Sequence, residues 1–325
     1  MSQADECSKV VAMKEIRNIL IVSDPTADAQ PAVDKAAALA KSIGARVELF
    51  MCDFRAGLDA RTAEADRARG ILLQHRREQL ELLAKPLRDA GIEVAVDATF
   101  DNPLHEGLLR KIAKSHIDLV VKDTHHHSLA RRTLVTNTDW HLIRSCPAPL
   151  LLVKPGFWSK QAQTLAAVDP GHPSDKPAAL DHEICEWSVT LAKHLGGIAN
   201  ALHAYIPSSI LLTASASTGL GLSVATGAET QLIEDEKRAK LQTLRDLVAQ
   251  HGIDAQRIHL AFGSAAELIP GEAERLKIDI VVMGAVSRSR MQRLFVGSTA
   301  ERVLDRLPCD VLIVKPLDFA SDLPF

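Results

Sequence analysis

The chain has 325 residues, 46% of them hydrophobic and 24% charged, and its formal net charge is −3 at pH 7. It is longer than one typical domain, its composition is that of a globular protein, and its weak negative charge argues against nonspecific binding to nucleic acid or anionic membranes. Its five cysteines include no C-x-x-C pair, which argues against a zinc ribbon, a thioredoxin-type site and a disulfide framework.

The N-terminal segment MSQADECSKVVAMKEIRN lacks the architecture of a signal peptide, and no apolar stretch reaches the length needed to span a membrane. Most of the cysteines lie inside apolar runs, so we expect them to be buried small hydrophobic side chains. We therefore expect a cytoplasmic protein.

Short apolar runs alternate with longer stretches of helical periodicity along the first half of the chain. The apolar runs predict buried strands at residues 19–24, 45–52, 92–100, 117–121 and 149–155. The segments between them predict helices at residues 30–44, about 61–90, 103–115 and 138–146. Gly44 and Gly91 follow the first two helices as C-terminal stops, and Thr138 or Asn137 is expected to cap the fourth.

The second half repeats this order of elements. Strands are predicted at residues 165–169, 200–205, 257–263, 278–284 and 310–316. Helices are predicted up to Leu195, over about residues 229–251, from near Ser264, and over residues 298–307. Residues 207–227 have no counterpart in the first half and are rich in Ser, Thr, Ala and Gly, which predicts a mobile loop or lid.

Short apolar strands joined by helices predict parallel βαβ units with right-handed crossovers. Five such strands in each half predict an α/β protein with two tandem open doubly wound parallel five-stranded sheets. We place the domains at residues 1–156 and 157–325. The last strands of the two halves are expected to pair across a pseudo-two-fold axis, which makes the chain an intramolecular pseudo-dimer and leaves further dimerisation open.

An internal repeat supports this division. Residues 117–155 align with residues 278–316 without a gap at a constant offset of 161, and 13 of the 39 positions are identical. The two copies differ where glycines would let a backbone approach a phosphate group. Gly284 in the second copy corresponds to Asp123 in the first, and the pair Gly297-Ser298 corresponds to Thr136-Asn137.

Ligands of open α/β sheets bind beyond the carboxyl ends of the strands, at the point where strand order reverses. In the second half, Asp169 ends the first strand, Gly284 follows the fourth, and Gly297 precedes a helix that opens with Ser298 and Thr299. Free N–H groups before a helix favour an anion, so this pattern predicts a phosphate cradle. Asp169 would accept a hydrogen bond from a ribose or help to hold a metal ion. The alternative is that Gly297 only permits tight packing of the helix against a strand.

The spacing in the second copy resembles the universal stress protein family, whose ATP-binding members carry G-x2-G-x9-G-[S/T] after the fourth strand. Here Gly284, Ser287, Gly297 and Ser298 keep that spacing, with Ser287 in place of the second glycine. The phrases ILIVSDPTADAQPAV, TNTDWHLIRSCPAP and GSTAERVLDRLPCDVLIVKP carry the resemblance through both halves, as in tandem members of the family.

The resemblance implies an adenine nucleotide alpha hydrolase-like fold and ATP, with or without Mg²⁺, as the ligand of the second half. The implied nucleotide contacts are Asp169, Gly263, Gly284, Ser287, Gly297, Ser298 and Thr299. The matching first-half positions are Asp24, Asn102, Asp123, His126, Thr136 and Asn137. A carboxylate at Asp123 would repel phosphate, so the first half is expected not to bind ATP.

The remaining motifs favour binding over catalysis. The adjacent His125, His126 and His127 cannot easily all point at one ion, so an exposed polar loop is preferred to a metal site. No P-loop, G-x-S-x-G or H-E-x-x-H motif occurs. The sequence thus predicts a stress-response regulatory protein that binds a nucleotide. Two alternatives are a scaffold for another small ligand or a protein partner, with residues 207–227 covering an apolar ligand, and a slow ATPase.

Overall fold

The computed structural model describes residues 13–27, 29–124, 136–171, 179–208, 227–285 and 298–319. Within these ranges, none of the helices combines the length and the apolar composition that a membrane crossing requires.

The first half alternates strands and helices as its apolar pattern predicts. Its strands are β1 (Asn18–Val22), β2 (Arg46–Asp53), β3 (Val94–Phe100), β4 (Leu119–Asp123) and β5 (Leu150–Val153). Its helices are α1 (Pro31–Ile43), α2 (Ala63–Asp89), α3 (Leu104–Lys114) and α4 (Asn137–Ser145). Gly44 ends α1 in the left-handed conformation with φ 72° and donates its N–H to Ala40, the C-terminal stop expected of a glycine there.

The second half has the same succession. Its strands are β6 (Gln163–Ala167), β7 (Ile198–Tyr205), β8 (Ile258–Phe262), β9 (Ile280–Gly284) and β10 (Asp310–Val314). Its helices are α5 (Ala179–His194), α6 (Gly227–Ala249), α7 (Ala265–Arg275) and α8 (Ser298–Leu304), with a short 3₁₀ turn at Ala255–Arg257.

The described strands form one ten-stranded sheet in the order β3-β2-β1-β4-β5-β10-β9-β6-β7-β8. All neighbours are parallel except β5 and β10, which pair antiparallel with Leu151 opposite Leu312. Each half is therefore the doubly wound five-stranded sheet that the sequence predicts. The expected pairing of the two final strands is confirmed, and it joins the two sheets edge to edge.

Helices cover both faces of the sheet, so its strands are apolar on both sides. One core cluster packs under α1, α2, α5 and α6, and the other packs under α3, α4, α7 and α8. Both clusters run across the β5–β10 junction, because alternate residues of these strands point to opposite faces. Leu151 and Leu312 belong to the first cluster, and Leu152 and Val311 to the second. The two halves thus share their cores.

The repeated Val-Lys-Pro motif has a structural role at this junction. Lys315 Nζ donates to the carbonyl oxygen of Arg144 at 3.2 Å, and Lys154 Nζ donates to the carbonyl oxygen of Leu307. Each lysine therefore reaches carbonyl groups at or just beyond the C-terminal end of a helix in the other half, where positive charge is favoured. Burial lowers the pKa of Lys315 to about 8.

A buried ion pair also joins the halves. Lys35 of α1 places its Nζ 2.7 Å from Asp310 Oδ2 of β10, with side-chain exposures of 6% and 2%. Trp158 Nε1 donates to the same oxygen at 2.7 Å, and the Lys154 N–H donates to Asp310 Oδ1 at 2.8 Å. Because these donors surround the Asp310 carboxylate, it is well hydrogen-bonded despite its burial.

The end of one helix and the start of another differ from the sequence-based expectation. Thr136 caps α4, whereas Thr138 or Asn137 was expected: Thr136 Oγ1 accepts from the Asp139 N–H, and Asp139 Oδ2 accepts from the Thr136 N–H. This reciprocal capping box satisfies two N–H groups at once, so it prevails over the neighbouring candidates. Helix α8 ends at Leu304 instead of extending to residue 307.

Candidate functional site

Strand order reverses once in each half. In the first half β1 lies between β2 and β4, and in the second half β6 lies between β7 and β9. The connections on either side of these strands leave to opposite faces of the sheet, so a crevice opens beyond the carboxyl ends of the two central strands. The chain therefore carries two candidate crevices.

In the second half, strand register brings Asp169 and Gly284 to neighbouring strand ends. Ala167 of β6 pairs with Met283 of β9, so Asp169 follows this pair by two residues and Gly284 by one. Gly263 lies two strands away at the end of β8, where its N–H donates to the Tyr205 carbonyl oxygen at 2.9 Å. All three predicted residues therefore lie at the same edge of the sheet.

Two side chains that sequence analysis missed surround Asp169. The Asp169 N–H donates to Asp181 Oδ1 at 3.0 Å, and Asp169 Oδ1 lies 3.5 Å from Nδ1 of the buried His203. Burial lowers the pKa of the His203 imidazole, and the Asp169 carboxylate opposes this shift. The hydrogen bond to Asp181 anchors the Asp169 backbone, and the Asp169 side chain remains 44% exposed at the edge of the crevice.

His203 carries a second feature relevant to a ligand. Its Nε2 is buried and has no hydrogen-bond partner among the described residues. Buried polar atoms normally find a partner in protein, water or ligand. The sequence signal for it is a histidine inside the largely apolar strand IANALHAY.

Gly284 allows a helix to pack closely against its strand. A Cβ at this position would lie 2.7 Å from Leu180 Cδ2 and 3.4 Å from Ile184 Cδ1, both on α5. The first distance is shorter than carbon atoms tolerate, so a side chain at this position would force Leu180 to move. The packing alternative considered for Gly297 thus applies to Gly284.

The first half has Asp123 where the second half has Gly284, and the helix next to this position is shorter in the first half. Helix α1 starts 13 residues before Gly44, whereas α5 starts 17 residues before Gly196, which is about one turn more. In the space that this extra turn would occupy, Asp123 Oδ1 accepts from the Ala32 N–H at 2.8 Å. Asp123 therefore caps the N-terminus of α1, a role that sequence analysis did not foresee.

Gly263 is required by its backbone. Its φ is +137°, a region that residues with a side chain rarely adopt, and a Cβ would lie 3.3 Å from Leu268 Cδ1. It turns the chain from β8 into α7, whose N-cap position is Ser264. The position of Gly263 at the carboxyl ends of the strands is compatible with a ligand contact. Its backbone conformation alone is sufficient to explain why the residue is a glycine.

The remaining predicted contacts lie wholly or partly outside the described residues. Ser287 and Gly297 fall outside them, as do His126 and its two histidine neighbours and most of the predicted lid. The backbone of Ser298 and Thr299 opens α8, which begins directly after Gly297. The phosphate part of the site therefore stays a prediction.

The first-half crevice holds a cavity of about 300 Å³. Its polar lining includes Asp24, Thr26, Asp53, Lys122, Thr136 and Thr138. Two of the predicted positions, Asp24 and Thr136, therefore face the cavity. Asn102, just before α3, and Asn137, the first residue of α4, are exposed.

Internal ion pairs already engage the charged groups of this crevice. Lys122 Nζ lies 2.8 Å from Asp139 Oδ1, and both side chains are buried. Asp53 Oδ2 lies 2.8 Å from the guanidinium of Arg76, which is buried as well. A lysine paired in this way has little attraction left for a polyphosphate.

The part of the chain that the structure describes contains no cluster of metal-binding side chains. No three His, Cys, Asp or Glu side chains come together there in an arrangement that would hold a metal ion. Any metal ion held by Asp169 would therefore need further ligands from a nucleotide or from water.

These features define a tandem α/β protein whose two doubly wound halves share one sheet and each present a crevice at the reversal of strand order. The profile of the universal stress protein family matches residues 15–154 and again residues 164–315. The chain belongs to the universal stress protein family, with one family domain in each half.

Relatives align with nearly the whole of this chain. Universal stress protein E of Escherichia coli K12 is 29% identical over 311 residues, which cover 94% of this chain and 95% of the relative. Universal stress protein E of Photorhabdus laumondii is 26% identical over 313 residues, covering 94% of this chain and 97% of the relative.

Two solved structures share the fold. A Pseudomonas aeruginosa PAO1 protein of unknown function superposes with a TM-score of 0.70 at 25% identity, covering 93% of this chain and 94% of its own. A universal stress protein of Archaeoglobus fulgidus gives a TM-score of 0.67 at 16% identity, covering 92% of this chain and 98% of its own. The predicted family and fold are confirmed, and the domain division at residue 156 stays a prediction.

Proposed function

We propose that this protein is a stress-response regulatory protein that binds ATP or a related nucleotide in its second half, without committed catalysis. The observation that carries the proposal is the register of β6 and β9, which brings Asp169 and Gly284 to neighbouring strand ends where strand order reverses. Gly284, the first glycine of the motif that resembles the family's nucleotide motif, ends β9 at this edge of the sheet.

The described part of the site fits the nucleoside end of such a ligand. The backbone N–H of Asp169 is held by Asp181, and the Asp169 side chain keeps 44% of its surface exposed, so its carboxylate can accept hydrogen bonds from ribose hydroxyls. The buried His203 Nε2 offers a further polar atom next to it. When bound, ATP would supply the negative charge for which a glycine-rich backbone is suited.

The phosphate end is assigned to the segment between β9 and α8. Gly284 begins this segment and Gly297 ends it, and Ser287, Ser298 and Thr299 contribute hydroxyl groups. Main-chain N–H groups at such positions bind phosphate oxygens without the lysine of a P-loop. Gly263 bounds the crevice at the end of β8, and Mg²⁺, if it accompanies ATP, would complete its ligands from phosphate and water.

The first half is proposed not to take part in ATP binding. Two buried cations near its crevice, Lys122 and Arg76, are paired with carboxylates, and Thr136 is used in the cap of α4. Asp123 adds a carboxylate at the end of β4, where a phosphate would have to approach. Repulsion in a weakly hydrated crevice is stronger than in water.

Isothermal titration with ATP and Mg²⁺ tests the proposal. We expect one ATP per chain, and Asp169→Ala should weaken binding about tenfold or more, since hydrogen bonds to charged groups are the strong ones. Asp24→Ala is the matched control, because Asp24 holds the corresponding position after β1 and should leave the affinity unchanged.

Three results would contradict the proposal. These are no binding to the folded protein, two equivalent sites, or a loss of affinity on Asp24→Ala but not on Asp169→Ala. Turnover measured on the wild type and Asp169→Ala in parallel also decides about a slow ATPase, because true hydrolysis must fall with the variant while a contaminant's would not.

A second candidate function is supported by apolar side chains at the same edge. Ile206 is 42% exposed and Phe262 is 58% exposed, and they lie at the ends of the neighbouring strands β7 and β8. Exposed apolar groups next to a crevice favour an apolar ligand, over which residues 207–227 would close. Organic extraction of the purified protein tests this: a stoichiometric apolar compound without ATP binding would favour this function, and its absence would remove it.

A further inference from the structure

The first-half crevice has the properties of a binding site, although ATP does not suit it. Its cavity of about 300 Å³ lies at a reversal of strand order and is lined by described residues that follow β1, end β2 and open α3 and α4. This volume is at the lower end of the range for small-molecule sites, so it suits a ligand of nucleoside size or smaller.

Ser23 supplies an unused polar group in this cavity. It is 2% exposed, it lines the cavity, and its Oγ has no hydrogen-bond partner among the described residues. A buried hydroxyl without a partner is unfavourable, because it has lost its bonds to water. The hydroxyl therefore marks a place where a ligand donor or acceptor would be favourable.

The charges around the cavity favour a neutral ligand. The two lining cations are already near carboxylates: Lys122 Nζ lies 2.8 Å from Asp139, and Arg55 Nε lies 3.7 Å from Asp53. The Asp24 carboxylate accepts from both the N–H and the hydroxyl of Thr26 at 2.6 Å. An anion would have to displace these partners, and a cation would meet Lys122 and Arg55.

The walls favour a flat apolar body. Val22, Phe54, Leu104 and Leu108 line the cavity together with the polar groups. Flat heteroaromatic rings bury well between aliphatic and aromatic side chains, and hydroxyls on the same molecule would meet Ser23, Thr26 and Thr138. We propose that the first-half crevice binds a neutral molecule with a flat ring and hydroxyl groups, built like a nucleoside without phosphate, at a site separate from the nucleotide site of the second half.

Titration with the four nucleosides adenosine, guanosine, cytidine and uridine at millimolar concentration tests this proposal. At least one should bind wild-type protein. Ser23→Ala should weaken that binding about three- to tenfold, the effect of one hydrogen bond, without lowering the thermal stability of the free protein, because the hydroxyl it removes has no partner.

A blocking variant and its control locate the ligand. Leu104 is 37% exposed at the edge of the cavity, so Leu104→Trp should fill it and abolish binding, whereas Leu82→Trp, at a 76% exposed position on α2, should not. Both variants are made in the Asp169→Ala background, because the ribose contact proposed at Asp169 would otherwise let nucleosides bind in the second half as well.

Absence of binding for all four nucleosides would overturn the proposal. So would binding to the wild-type protein that is lost on Asp169→Ala alone, since the ligand would then lie in the second half; that result leaves the proposed ATP site intact. Equal competition by the nucleoside's own monophosphate for the site that Leu104→Trp blocks would overturn the requirement for a neutral ligand.

Discussion

The ion pair between Lys35 and Asp310 allows a direct test of how the two halves are joined. Lys35→Met removes the charged Nζ, which lies 5.6 Å from the centre of the Trp158 ring, and keeps an apolar side chain of similar length. The Asp310 carboxylate, 2% exposed, then stays buried without its cation. Removing one partner of a buried pair costs about 3–5 kcal/mol, because the remaining charge has lost both water and counter-charge.

The pH dependence of this variant gives an independent readout. Burial raises the pKa of Asp310, and Lys35 opposes that rise. Without Lys35 the pKa of Asp310 rises further. An acid whose pKa is higher in the folded than in the unfolded state loses stability as pH rises through the folded-state pKa. The stability lost on Lys35→Met should therefore be larger at pH 8 than at pH 5.

Urea unfolding followed by tryptophan fluorescence and far-UV circular dichroism measures both effects. Lys85→Met is the matched control, because Lys85 and Asp89 form a pair of the same 2.7 Å length on α2 with exposures of 73% and 64%. Exposed helix pairs contribute well under about 1 kcal/mol. If Lys35→Met destabilised the protein no more than Lys85→Met does, or by the same amount at both pH values, the buried pair would not hold the halves together as described.

Three further predictions concern Gly284, Asp123 and the buried His203. Gly284→Ala should destabilise the protein by about 1–3 kcal/mol in urea unfolding, and this loss should be smaller when it is measured in a Leu180→Ala background, because the new Cβ meets Leu180; equal losses in the two backgrounds would contradict the packing role. Asp123→Ala should cost about 0.5–2 kcal/mol by leaving the Ala32 N–H uncapped, and an unchanged midpoint would contradict it. Burial lowers the pKa of His203, so the folded protein favours the neutral imidazole and loses stability as pH falls through the unfolded-state pKa of histidine. The loss of stability from pH 7 to pH 5 should therefore be smaller in His203→Gln than in the wild type. An unchanged loss would show that His203 does not cause it.

The order of strands and helices was predictable because it depends on local patterns. Buried parallel strands are short continuous apolar runs, and glycine stops such as Gly44 end the helices that follow them. The pairing of the two halves followed from the duplication of those patterns. The start of α4 was less certain, since Thr136, Asn137 and Thr138 all suit a cap and only the reciprocal bonds with Asp139 select Thr136.

The roles of individual site residues depended on distances that the sequence does not contain. The repeat showed that Asp123 and Gly284 occupy matching positions, but the reason for the difference is the extra turn of α5 that places Leu180 over Gly284. In the same way, His203 lies far along the chain from Asp169, and only the pairing of β6 with β7 brings them together.

The ion pair between the halves was also not predictable. Lys35 looks like one of the solvated charges of an amphipathic helix, and its partner Asp310 is 275 residues away. Only the antiparallel junction of β5 and β10 brings α1 close to β10. Contacts of this kind require the assembled sheet and not the local sequence.

A crystal structure of the chain grown with ATP and Mg²⁺ tests the central claim most directly, because it locates the nucleotide. We predict one ATP, beyond the ends of β6 and β9, with its ribose within hydrogen-bond distance of Asp169 and its phosphates against the backbone between Gly284 and Ser298. ATP in the first-half crevice, in both crevices, or in neither at saturating concentration would contradict it.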